Sequence, residues 1–179
     1  LALFAYAWFQ DPRNVLTRSW KKALFINNRL GAVNYPYGRL DSGNKLVLRN
    51  EPLEYPGFPL LRYSALANFL DERYNASLEG SYREHEVSKA VLDEFWNLCK
   101  QNGIEFVLAG IYPDPLTAEM LHSFNAKGAT TVDISVDMTR QENANMPYDA
   151  HPSAFANKQF AEKLETFLRG KLIDKVAKP

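Results

Sequence analysis

The residues best suited to chemistry in this chain are Asp149 and His151, two positions apart in the run YDAHPSA at 148–154. An imidazole can take a proton from a hydroxyl near neutral pH. A carboxylate on its Nδ1 side fixes the tautomer that leaves Nε2 to do so. Pro152 makes the segment a turn, and an amphipathic helix is expected to start at Ser153. The same residues admit a structural reading, in which Asp149 or Ser153 caps that helix, Pro152 occupies its first turn and His151 is incidental.

The other reactive side chains group less well. His85 follows Ser81 by one helical turn, but no strand precedes Ser81, as a nucleophilic serine on a strained turn would require. Ser81 reads instead as the N-cap of a solvated helix, with Glu84 as its capping-box partner. His122 reads as a partly exposed packing residue. The three histidines and the single cysteine have no metal-ligand spacing. Cys99 lies in an apolar helical stripe and is expected to be a buried, inert thiol; being alone, it excludes an intrachain disulfide. Asn75-Ala76-Ser77 fits the glycosylation sequon. Arg13, Arg18 and Arg29 are either solvated or a site for an anionic substrate group. The aromatic residues Tyr35, Tyr37, Tyr55, Phe58 and Tyr63 form either a sugar- or acyl-binding wall or a small local core.

The elements that must position these residues follow from periodicity. Residues 1–9, 104–112 and 130–137 read as strands, the first two as continuous apolar runs of the kind covered on both faces. Helical spacing is expected over 15–27, 60–74, 82–102, 117–125 and 153–172, with Thr117 as an N-cap. Turn clusters dominate about 29–63. This stretch reads as a long insertion after the first helix, with a short strand at 45–49 and room for a hairpin. Residues 173–179 read as a frayed tail. Strands alternating with helices predict an α/β domain: a three-layer α/β/α (flavodoxin-like) fold with a parallel sheet, spanning 1–179 as one domain. A chain that opens without Met inside an apolar strand also leads us to expect a further segment before Leu1.

Composition narrows the partners. Lys+Arg and Asp+Glu are equal at 21 each, so no basic excess points to nucleic acid. No apolar run reaches the ~18 residues that a membrane span needs. The opening nine residues lack the basic flank of a signal peptide. No Gly-rich phosphate loop follows any strand, which argues against a nucleotide-binding fragment. Composition leaves the compartment open.

The strand TTVDISVD, the Asp-x-His-Pro turn and the helix pattern Ala-Asn-x-x-Phe-Ala-x-x-Leu together resemble the C-terminal block of the SGNH (GDSL-type) serine hydrolases. The strand ending at Trp8-Phe9-Gln10-Asp11 resembles the family's strand before Gly-x-Asn-Asp, and residues 87–113 resemble its helix, Gly, strand, Pro segment. The resemblance covers residues 1–14 and 82–170 and leaves the insertion unexplained. It implies an esterase or acyl transferase acting on a small-molecule or carbohydrate ester, with no metal or organic cofactor, His151 as base and Asp149 as its orienting partner. It further implies an oxyanion donor at Gln10 or Asn14, while Gln10 reads equally as the end of a strand before an Asp-Pro turn. The family's Gly-Asp-Ser turn does not occur here. The serine is therefore expected from outside this chain, or the protein is a non-catalytic binding domain on the same scaffold.

Overall fold

The computed structural model describes residues 1–27 and 33–176, with side chains described as far as Lys171. In chain order the elements are β1 (Ala2–Tyr6), a 3-10 turn (Trp8–Gln10), α1 (Asp11–Asn14), α2 (Arg18–Asn27), β2 (Asn34–Leu40), β3 (Leu46–Pro52) and α3 (Ala65–Glu79). They continue with α4 (Glu84–Gln101), β4 (Phe106–Gly110), α5 (Pro115–Ala126), β5 (Thr130–Asp133) and α6 (Ala154–Val176). The chain divides into two compact units, one built from residues 1–8 and 96–179, the other from 9–95. The fold is α/β, with a parallel three-stranded sheet flanked by helices, compatible with a flavodoxin-like three-layer arrangement.

In the first unit the strand order is β1-β4-β5, every pairing parallel. β4 is central and buried at every residue, which is why its sequence, FVLAG, carries no polar alternation. Gly110 ends β4 at a close approach. A Cβ there would lie 2.8 Å from Leu121 Cδ1 and 3.0 Å from Thr117 Cγ2, so α5 packs directly on this end of the strand. α5 turns Thr117, Met120 and Phe124 inward at helical spacing, and Phe124 meets Trp96 with ring centroids 5.9 Å apart. Its N-cap is Asp114, whose carboxylate accepts Leu116 N–H at 2.8 Å. Thr117 is instead buried and accepts Trp8 N–H. The extended Asp-Pro pair supplies both the cap and the first turn, and outcompetes the later threonine.

In the second unit β2 and β3 form an antiparallel hairpin in the expected insertion, from Asn34↔Pro52 to Leu40↔Leu46. Asp41 closes the turn by accepting Gly43 and Lys45 N–H, and Asn44 takes the left-handed conformation at φ +61. Gly38 lets α4 sit on the hairpin, since a Cβ there would meet Val87 Cγ1 at 2.8 Å. α2 is capped by Thr17, which accepts Trp20 N–H. α3 is capped by Ser64, so it begins and ends later than the 60–74 spacing implied.

Two local expectations are corrected. Residues 11–14, where an Asp-Pro turn is the alternative reading, form a short helix with Pro12 in its first turn. Ser81 lies in a 3-10 turn and donates to Leu78 O, while α4 begins at Glu84 after Arg83 in the left-handed conformation. Ser81 is therefore not the cap of α4. The expected frayed tail is helical as far as Val176, and 177–179 lie outside the described residues, as do 28–32 with Arg29.

Candidate active site

Because β1, β4 and β5 run parallel, the loops that follow them leave from one edge of the sheet. In open α/β sheets this carboxyl edge is where ligands bind. The loop after β5, residues 134–153, carries Asp149 and His151. Asn143 organises it. Buried at 2 % exposure, it donates from Nδ2 to Asp137 O at 2.7 Å and accepts Gln159 Nε2 at 2.7 Å and, on its backbone carbonyl, Ser153 N–H at 2.9 Å. An antiparallel bridge between Ala144 and Pro152, with Asn145 N–H on His151 O, then closes residues 145–151 into a small loop. Nothing in the sequence pattern marks Asn143, because its role is to satisfy backbone groups that only the folded loop brings to it.

Within this loop His151 Nδ1 lies 3.3 Å from Asp149 Oδ1, and the same oxygen accepts the His151 backbone N–H at 2.8 Å. That backbone hydrogen bond, more than the imidazole, holds the Asp149 carboxyl below its ordinary range. The pair is open to solvent, with side chains 82 % (His151) and 48 % (Asp149) exposed. Asp133 and Asp137 serve elsewhere, on Ser135 N–H and on Thr139 and Arg140. Ser153 is the cap of α6. Its Oγ accepts Ala156 N–H and donates to Glu142 O, so its hydroxyl is committed.

Gln10 and Asn14 belong to the other unit. Gln10 ends the 3-10 turn after β1. Asn14 lies at the end of α1 and donates to Ser88 Oγ at 2.9 Å. In the same unit the structure forms a second Asp–His pair that no sequence pattern joins. His85 Nδ1 is 2.9 Å from Asp11 Oδ2, with side chains only 15 % and 4 % exposed. Burial first, then the charges of Glu79 and Asp11, raise the pKa of neighbouring Glu84, with Arg39 opposing. This pair ties α1 to the start of α4. The 74 residues between its members carry no signal of the contact.

Among the remaining candidates, Cys99 is buried and His122 exposed. Asn75 is fully buried and donates to the Tyr55 hydroxyl at 2.9 Å, so the folded sequon offers no acceptor nitrogen at the surface. Among the described residues no helix is long and apolar enough to cross a membrane. No family model, curated protein or solved structure matches the chain. The SGNH resemblance is thus a reading of residue order and spacing.

Proposed function

We propose that Asp149 and His151 are the proton-transfer half of an ester-cleaving or acyl-transferring centre, the serine being supplied from outside these 179 residues. The observation that supports this most is the contact of the Asp149 carboxylate with Nδ1, in a loop that leaves the carboxyl edge of the sheet. Among the described residues no hydrogen bond engages Nε2 of His151. In the proposed reaction Nε2 takes the serine proton as the hydroxyl oxygen attacks the ester carbonyl. The ester C–O bond then breaks, and the imidazolium returns the proton to the departing alcohol. Water, or an acceptor hydroxyl, releases the acyl group from serine by the same proton path.

A second reading, a non-catalytic binding domain, draws on the exposure of Asp149, since an orienting aspartate is ordinarily buried. One experiment separates them. In the full-length natural polypeptide, His151→Ala should lower kcat/KM for p-nitrophenyl acetate by about 10³-fold or more, with the circular dichroism unchanged. Unaltered activity in the variant, or none in the parent, would leave the binding reading standing.

A further inference from the structure

The loop between β3 and α3, residues 53–64, folds against α2 and α3 and encloses a cleft of about 670 Å³, a size ordinary for small-molecule sites. Its walls include Phe25, Ile26, Phe58 and Leu61, and the charged residues that line it are Lys22 and Arg62. Among the described residues no acidic side chain lines it.

The cleft is held open by its own structure. Gly57 brings the loop down on Leu61 and Tyr55, where a Cβ would lie 2.9 and 3.0 Å from their side chains. Leu60 is held at φ +64, a conformation that a branched residue adopts only when its surroundings impose it. Phe58 stands edge-on to Tyr74 at 5.8 Å, and Arg18 donates to Pro56 O while its guanidinium lies over the Tyr55 and Tyr74 rings. Behind the cleft wall Lys22 meets the buried Asp71 carboxylate at 3.0 Å and the exposed Glu72 at 3.7 Å, and Asp71 also faces Arg18 at 3.5 Å; Arg18, Asp71 and Glu72 do not line the cleft themselves. Among the described residues Lys22 has two short contacts, to Asn68 Oδ1 at 2.8 Å and to Asp71 at 3.0 Å, with Glu72 farther off at 3.7 Å, so its third ammonium proton has no short acceptor there.

From these features we infer that the cleft is a binding site for an aliphatic carboxylate, its chain against Phe25, Ile26, Phe58 and Leu61 and its head group at Lys22 and Arg62. A carbohydrate fits less well, because its hydroxyls would lose water against four apolar side chains with few partners in return. The site is independent of the Asp149–His151 proposal, since none of its lining residues belongs to the unit that carries that pair.

Calorimetric titration of the 179-residue chain with octanoate, decanoate and dodecanoate, below their micelle concentrations, tests this. Affinity should rise with chain length, by roughly tenfold for each two methylenes if they are fully buried. Decyltrimethylammonium should bind at least tenfold more weakly than decanoate. Arg62→Glu and Ile26→Asp, both at exposed positions, should weaken decanoate binding at least fivefold. Leu48→Asp, at an equally exposed apolar residue outside the cleft, should not. Chain-length independence, equal binding of the cation, or an equal loss in Leu48→Asp would overturn the assignment.

Discussion

Gln159 Nε2 donates to Asn143 Oδ1 at 2.7 Å, fastening the loop that carries His151 to the helix that follows it. Asn143 is also held by the backbone of Asp137 and Ser153, so a single amide side chain sets the shape of a loop of about twenty residues.

Asn143→Ala should therefore lower stability by about 1–3 kcal/mol, the cost of leaving buried partners unsatisfied. Urea unfolding measures it. Gln159→Ala should cost less, and the double variant less than the sum of the two, because both remove the same bond. Strict additivity would mean that the contact carries no energy.

If the proposed chemistry holds, Asp149→Asn should lower kcat/KM for p-nitrophenyl acetate in the full-length protein by about fivefold or less, since exposed charge pairs couple weakly. A buried orienting aspartate contributes about 10⁴-fold in comparable triads. A loss of that larger size would show that the loop closes over the pair when substrate binds.

Asp71 gives a pH signature. Burial by itself raises its pKa, but the Tyr55 hydroxyl and the Lys22 ammonium outweigh it and hold the carboxyl below its ordinary 3.8. A folded-state value below the unfolded one stabilises the fold at pH above the unfolded value. That contribution is lost as pH falls through the folded value. The stability difference between wild type and Asp71→Asn should be largest at neutral pH and shrink as pH drops from about 5 downward. A difference independent of pH over that range would contradict the ionised, paired state.

Gly110→Ala should destabilise by about 1–3 kcal/mol, the usual cost of overpacking. The new methyl would press on Thr117, whose branched side chain cannot turn away, and on Leu121, whose end can. Thr117→Ser in the Gly110→Ala background should restore part of the lost melting temperature. No restoration would place the strain elsewhere.

The central strand β4 was legible because burial on both faces leaves an unbroken apolar run, FVLAG, whereas β1, equally apolar in sequence, is not covered on both faces and leaves Leu3 and Ala5 exposed. Local turn chemistry was legible as well: Asp41 to Asn44 bend the hairpin with side chains that reach only their own neighbours. Caps were read less well. Ser81 and Thr117 have the right residue types, yet Asp114 and the Arg83 bend fix the helix starts, since several cap-competent residues lie within one turn and only packing chooses among them.

Asp149 and His151 could be found from sequence because they are two residues apart, and the loop backbone alone brings them together. Their exposure could not be read, because it depends on how far Asn143 and Ala144–Pro152 draw the loop in. The aromatic insertion residues show the same division. The sequence supplied the cluster, whereas the fold put Tyr55, Phe58 and Tyr63 around one cleft and Tyr35 and Tyr37 around a different pocket on the hairpin. The pairs Asp11–His85 and Lys22–Asp71 belonged wholly to tertiary structure. Burying a charge is unfavourable unless an opposite charge meets it, and which distant residue meets it is decided by how the helices pack, a choice that no local pattern encodes.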